Sequence, residues 1–164
     1  HSPRQQQIDS FRAHIAASRV TGLPLIVHTR DADQDTANIL AEEYARGPFP
    51  GLIHCFSSTR IVSDKARELG FSISISGSVT FKPAEELRAI VRELPLELLL
   101  VETDAPYLAP VPKRGKRNEP AFVAHTAAKL AELKGLGVAD LAKATSANFF
   151  KLFNKVKPPA SAAA

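Results

Sequence analysis

The chain has 164 residues, 45% of them hydrophobic, which is enough for one ordinary globular domain with a sizeable core. Lys and Arg outnumber Asp and Glu by 21 to 17, and the net charge of +4 favours polyanionic partners without identifying one. The single cysteine, Cys55, excludes an intrachain disulfide, and no stretch has the roughly 20 apolar residues of a membrane span, so we expect a cytoplasmic protein without a membrane partner.

The chain begins with His1, contains no Met and shows no apolar targeting segment in residues 1–20. We therefore expect a fragment of a longer protein. The oligomeric state of the intact protein is left open by the sequence.

The first half of the chain alternates between two hydrophobic patterns. Residues 3–20 space their apolar side chains at helical intervals and end before Gly-Leu-Pro, which predicts an amphipathic helix. Short apolar runs rich in β-branched residues follow, as is typical of strands covered on both faces. The next predicted elements are a strand at 25–28, a helix at 36–45, a strand at 51–55, a helix at 61–69 and a strand at 71–76.

The second half continues the alternation and ends in helices. A helix is predicted at 83–93, a strand at 98–101, a Pro-rich basic loop at 105–119, and helices at 120–134 and 138–153. We expect residues 157–164 to form a disordered Pro/Ala tail, so that the domain covers residues 1–156.

Four short strands joined by helices imply an α/β fold with parallel strands and right-handed crossovers. Two architectures fit this pattern. One is an open doubly wound sheet, and the other is part of a (β/α)8 barrel, which has eight strands.

Three of the four predicted strands end near a side chain that can bind a metal: His28, His54 and Asp104. The carboxyl ends of parallel strands converge on one face in α/β folds, so these residues can meet there. Imidazole and carboxylate form the mixed ligand set that Zn, Mn and similar divalent ions accept. A structural histidine is the alternative for either one alone.

Five short sequences, in this order and at similar spacing, resemble the TatD deoxyribonuclease family. They are residues 25–32 (LIVHTRDA), 53–57 (IHCFS), 73–77 (ISISG), 102–108 (ETDAPYL) and 114–120 (RGKRNEP). The resemblance covers the chain to about residue 153. It implies the C-terminal half of a TIM-like (β/α)8 barrel of the metal-dependent hydrolase group, with this chain supplying the last four strands.

The resemblance also implies roles for individual residues. His28 and His54 match the family's metal-binding histidines, and Asp104 matches the acid that binds metal and takes a proton from the attacking water. The family completes this site with an N-terminal His-x-His pair and a Glu in the middle of the barrel, which have no counterpart here. The expected cofactors are divalent ions, Mg, Mn or Zn, and the expected activity is cleavage of DNA from an end, of the 3'-5' exonuclease type.

Several nearby residues carry more than one interpretation. Glu102, two residues before Asp104, either orients a ligand or forms a structural ion pair. Arg30 is expected to bind substrate phosphate, with a salt bridge to nearby Asp31 or Asp33 as the alternative. Asn118 and Glu119 are interpreted as a helix cap and a first-turn acid.

The loop after Asp104 carries a basic cluster that we expect to bind DNA phosphates, through Lys116 and Arg117 in particular. A solvated basic loop is the alternative. Lys113 and Arg114 belong to the same cluster.

We expect three histidines and the cysteine to take no part in the metal site or in catalysis. His14 and His125 fall inside predicted helices and His1 is the first residue, so surface or packing roles account for them. Cys55 follows His54 on a strand, so we expect its side chain to point to the opposite side and to be buried.

Two other functions stay open at this point. A related barrel could hydrolyse a small ester or amide, since a fold does not determine a substrate. A catalytically inactive half-barrel is the other alternative, and we expect the fragment alone to be inactive.

Overall fold

The computed structural model describes residues 2–159, so His1 and the tail residues 160–164 lie outside it. The helices are α1 (Arg4–Thr21), α2 (Asp33–Ala45), α3 (Arg60–Leu69), α4 (Glu85–Glu93), α5 (Val123–Lys134) and α6 (Val138–Leu152). The strands are β1 (Leu25–Val27), β2 (Gly51–Ile53), β3 (Ser72–Ile75) and β4 (Leu99–Val101). Short 3-10 turns occupy Gly77–Thr80, Leu96–Leu98 and Pro120–Phe122.

The strands form one parallel sheet in the order β1-β2-β3-β4. An open doubly wound sheet reverses its strand order at a switch point, whereas a barrel adds each new strand beside the last. The observed order is therefore the barrel type. The prediction of an α/β fold of the TIM-like kind is confirmed.

The two faces of the sheet have different partners because side chains alternate along a strand. Val27, Ile53 and Ile73 face the helices, where they are 4%, 0% and 0% exposed and join the main hydrophobic core. Ile26 and Leu52 pair across β1 and β2 on the other face, which we call the inner face. Ile26 is 58% exposed, so the inner face is open at its β1 edge.

Helix α2 begins three residues before the predicted position. Asp33 and Asp35 lie in its first turn, where negative charge is favourable to the helix dipole. The Asp33 carboxylate also accepts hydrogen bonds from the backbone N–H and hydroxyl of Thr59, at 2.8 and 2.6 Å. This contact joins the start of α2 to the start of α3.

No helix in the part of the chain that the structure describes is long and apolar enough to cross a membrane.

Candidate metal centre

The candidate centre lies beyond the carboxyl ends of three strands. His28 follows β1, His54 follows β2, and Glu102 and Asp104 follow β4. Hydrogen bonds continue between strands at these positions, since the His54 N–H donates to the Val27 carbonyl and the Glu102 N–H to the Ile75 carbonyl. His54 and Glu102 thereby project from the inner face, and the parallel sheet brings them to one edge.

His54 lies between two carboxylates. Its Nδ1 is 2.9 Å from Glu102 Oε2, and its Nε2 is 3.5 Å from Asp104 Oδ1. Each of the three residues offers one donor atom, and these atoms lie within 4.8 Å of one another. The set of one imidazole and two carboxylates is the mixed nitrogen and oxygen set that divalent cations accept.

One buried oxygen atom of this group supports the presence of a cation beside it. Glu102 Oε1 is buried and has no hydrogen-bond partner among the described residues. A buried carboxylate oxygen without a partner is costly, and a positive charge beside it removes that cost. The residues present therefore fit a divalent metal.

Glu102 orients His54 through the Nδ1 contact. An imidazole that donates Nδ1–H to a carboxylate keeps Nε2 free to bind a metal, and such partners raise the basicity of the ligand. The structure thus favours the orienting role for Glu102. Within residues 2–159 it forms no ion pair with Lys or Arg.

His28 is near this group but not inside it. Its ring centroid is 5.9 Å from that of His54, and its side chain is exposed. The donor atoms of His54, Glu102 and Asp104 form the compact set without it. The role of His28 as a metal ligand remains a prediction.

Asn118 holds the backbone around Asp104, which sequence reasoning missed. Its Nδ2 donates to the carbonyls of Thr103 and Tyr107 at 2.7 and 2.6 Å, and its Oδ1 accepts the Glu119 N–H. The prediction of a helix cap was wrong, because the amide is engaged by the loop after β4 rather than by a helix. No local pattern marks such a contact.

Comparison with known proteins identifies the family of this chain. Residues 1–154 match the family described as TatD related DNase. The chain belongs to this family. Its resemblance to TatD sequences is therefore confirmed.

Curated relatives named as metal-dependent hydrolases are similar over nearly the whole chain. The uncharacterized metal-dependent hydrolase YcfH of Escherichia coli (strain K12) is 51% identical over 149 residues, which cover 91% of this chain and 56% of the relative. The uncharacterized metal-dependent hydrolase YabD of Bacillus subtilis (strain 168) is 41% identical over 152 residues, which cover 93% and 59%. The chain thus spans a little over half the length of these relatives.

Solved structures show the same TatD fold. The crystal structure of YJJV, a TatD homolog from Escherichia coli K12, matches with a TM-score of 0.77 at 29% identity, covering 85% of this chain and 53% of that one. A TatD family hydrolase from Entamoeba histolytica matches with a TM-score of 0.77 at 19% identity, covering 92% and 57%. The second likeness concerns the fold alone.

The basic loop of this TatD chain divides into two pairs. The Arg114 guanidinium lies 3.9 Å from the Phe81 ring centroid and Lys113 Nζ lies 5.4 Å from that of Phe122, so both stack on aromatic rings. Lys116 and Arg117 are exposed and form no ion pair within the described part of the chain. Their contact with phosphate remains a prediction.

Arg30 is also exposed, and among the described residues it forms no salt bridge with Asp31 or Asp33. Asp33 binds the start of α3 instead. The salt-bridge alternative for Arg30 was therefore wrong. Arg30 and His28 line an open groove of about 910 Å³ beside α1, and phosphate binding by Arg30 remains a prediction.

Cys55 is buried, as expected, but its direction was predicted wrongly. Its backbone φ is 47°, a left-handed conformation that interrupts the alternation of β2, and its thiol lies 3.4 Å from Ser76 Oγ. Burial raises the pKa of the Cys55 thiol, the Ser76 hydrogen bond opposes this, and the charge of Asp104 adds to it. The thiol is thus kept protonated, which is unsuited to a nucleophile.

Proposed function

We propose that the protein containing this chain is a metal-dependent hydrolase that cleaves DNA phosphodiester bonds from an end, as a 3'-5' exonuclease. The observation that carries the proposal is His54 between Glu102 and Asp104, with a buried carboxylate oxygen left without a partner. The family's description as a DNase and the relatives' naming as metal-dependent hydrolases support it.

The residues would divide the chemistry among them. His54 Nε2 and Asp104 would hold the divalent ion, with His28 as a further proposed ligand. When bound, the ion lowers the pKa of water and neutralises charge on a phosphoryl oxygen, so that hydrolysis needs no nucleophilic side chain. Asp104 accepts the proton of the attacking water as general base. Glu102 keeps the His54 tautomer suited to binding.

The other parts of the proposal concern partners and location. DNA phosphates would contact Arg30, Lys116 and Arg117, all of which are exposed. The resemblance implies that a His-x-His pair and a Glu elsewhere in the full-length protein complete the ligand set. The metal would be Mg, Mn or Zn, and the protein would work in the cytoplasm.

A second candidate keeps the metal and changes the substrate to a small ester or amide. It is favoured by the names of the curated relatives, which specify a metal-dependent hydrolase and no substrate. These candidates differ in what the full-length protein hydrolyses.

The test is hydrolysis by the full-length protein of DNA and of a panel of small esters, with Mg, Mn or Zn added. We expect DNA hydrolysis that a chelator abolishes. Asp104→Ala should lower the rate about 100- to 10,000-fold, the range of a lost general base. His28→Ala and His54→Ala should also lower it strongly, because each removes a proposed ligand.

The matched controls are His125→Ala in α5 and Asp140→Ala in α6, which remove the same chemical groups away from the centre. Both should keep the wild-type rate. Wild-type rates in all three centre variants at saturating metal contradict the assignment. Hydrolysis of esters without hydrolysis of DNA supports the second candidate instead.

A further inference from the structure

Asn118 is a buried side chain whose amide bridges two parts of the loop that carries Asp104. It is 3% exposed, and Nδ2 donates to the Thr103 carbonyl at 2.7 Å and to the Tyr107 carbonyl at 2.6 Å. Its backbone N–H donates to the Pro106 carbonyl at 3.0 Å. Three hydrogen bonds therefore run from this one residue to the segment from Thr103 to Tyr107.

The bridged segment contains Asp104, whose backbone conformation must be held by contacts outside the sheet. Strand β4 ends at Val101, so the sheet does not hold the backbone at Asp104. Asp104 has a φ of 57°, a left-handed conformation that residues other than glycine rarely adopt. The Tyr107 N–H donates to the Asp104 carbonyl at 2.9 Å and closes the turn. The Asn118 amide holds this turn at both ends.

We infer that Asn118 is a positioning residue that fixes the backbone of Asp104. With the turn held, the Asp104 carboxylate stays 3.5 Å from His54 Nε2, where both can face one cation. Without the amide, the turn can relax from its left-handed conformation and carry the carboxylate away from His54. The inference rests on the proposed function for the role of Asp104.

A second asparagine provides a matched control. Asn148 on α6 donates through Nδ2 to the carbonyls of Leu96 and Leu99, at 2.8 and 2.9 Å. It thus makes the same pair of contacts at the opposite end of β4. Removing the Asn148 amide costs two hydrogen bonds. Removing the Asn118 amide costs the corresponding two and also the bond from the Glu119 N–H to Oδ1, and only Asn118 is joined to the turn of Asp104.

The experiment compares Asn118→Ala, Asn118→Ser and Asn148→Ala in the full-length protein. The readouts are Mn²⁺ affinity measured by calorimetry with the metal alone, kcat and KM on DNA, and thermal unfolding without metal. Asn118→Ala should lower both Mn²⁺ affinity and kcat about 10- to 100-fold, as is usual when a partner that orients a ligand is lost. KM should stay near its wild-type value.

Asn118→Ser keeps one hydroxyl donor and should give a smaller loss, which also serves if the alanine variant does not fold. Asn148→Ala should lower the unfolding temperature and leave Mn²⁺ affinity and kcat unchanged. Adding Asn118→Ala to Asp104→Asn should cause little further loss of kcat, because residues that act as one unit are not additive.

Three results overturn the inference: wild-type Mn²⁺ affinity and kcat in the folded Asn118 variants, equal losses in Asn148→Ala, or additive losses with Asp104→Asn. Failure of the proposed function is recognised separately. If the wild-type protein binds Mn²⁺ but hydrolyses no DNA, the DNase proposal is refuted, and the Mn²⁺ affinities still decide the role of Asn118. A wild-type protein that binds no Mn²⁺ refutes both.

Discussion

Asp104 and Cys55 show how single residues are strained at the candidate centre. Their φ values of 57° and 47° are left-handed, which costs a residue such as cysteine roughly 1 to 2 kcal/mol and an aspartate less, because its short polar side chain can hydrogen-bond locally. Such conformations persist only where surrounding contacts hold them, and they concentrate at functional sites. Here Asn118 holds the turn of Asp104, and Ser76 contacts the Cys55 thiol.

The exposed side chains of Lys116 and Arg117 are predicted to bind DNA phosphates, and this can be tested residue by residue. If both contact phosphates, Lys116→Ala with Arg117→Ala in the full-length protein should weaken binding to all DNA sequences alike. The slope of log K for DNA binding against log salt concentration should become less steep by about one unit for each lost phosphate contact. Binding measured at several salt concentrations checks this, and hydrolysis of small esters should not change.

The control for that measurement is Lys143→Ala with Lys151→Ala, which removes two exposed charges from α6. This variant has the same net charge as the first one, so it separates local contact from total charge. Equal salt slopes in wild type and in the Lys116 and Arg117 variant support the solvated-loop interpretation.

At the scale of elements, α1 and α2 are joined by a charged cluster around Glu43. The Glu43 side chain is 6% exposed and pairs with Arg12 at 2.5 Å, with Arg46 at 2.8 Å and with Arg19 at 3.3 Å. Burial acts to raise the pKa of Glu43, but the hydrogen bonds from Arg12 and Arg19 and the positive charges of Arg46 and Arg12 together outweigh it and hold the pKa below its usual value. The ionised form therefore stabilises the contact between the two helices.

Glu43→Gln should lower the free energy of unfolding by about 2 kcal/mol near neutral pH, the size of a hydrogen bond to a charged group. Because the folded pKa is depressed, the wild-type advantage is present above the unfolded pKa, about 4.3, and is lost as pH falls through the folded value. Denaturant unfolding of both proteins between neutral and acidic pH measures this.

Glu42→Gln is the control, because Glu42 pairs with the same Arg12 but is 54% exposed. It should cost at most about 1 kcal/mol, as exposed ion pairs do. If the difference between wild type and Glu43→Gln stays constant down to low pH, the ionised cluster is not what stabilises this helix pair.

At the scale of the whole molecule, the two outer strands of the described sheet determine how the chain should behave when it is produced alone. Within residues 2–159, β1 and β4 each pair with a single neighbour, and Ile26 on β1 is 58% exposed. A strand edge with unpaired backbone groups invites association with other chains. The inner face is likewise open at β1.

We therefore predict that residues 1–164 alone dimerise, aggregate or stay partly molten, and that they bind metal weakly and show little nuclease activity. Supplying the remainder of the full-length protein as a separate chain should improve both properties. Sedimentation combined with a nuclease assay measures them together. A well-folded monomer with full metal-dependent activity contradicts this expectation.

The elements and the candidate ligands follow from local sequence. Short β-branched runs between Gly and Pro predict the four strands, and His54 and Asp104 are visible because each follows such a run. The resemblance to TatD sequences then implied their roles. Local patterns suffice here because strand formation and the alternation of side chains depend on neighbouring residues.

Only the tertiary structure decided how the strands are ordered and what touches the ligands. Glu102 meets His54 across 48 positions of sequence, and Asn118 meets Thr103 across 15. The direction of Cys55 depends on one left-handed residue that ends the alternation of β2. These contacts depend on how distant segments are brought together, which the periodicity of a single segment does not contain.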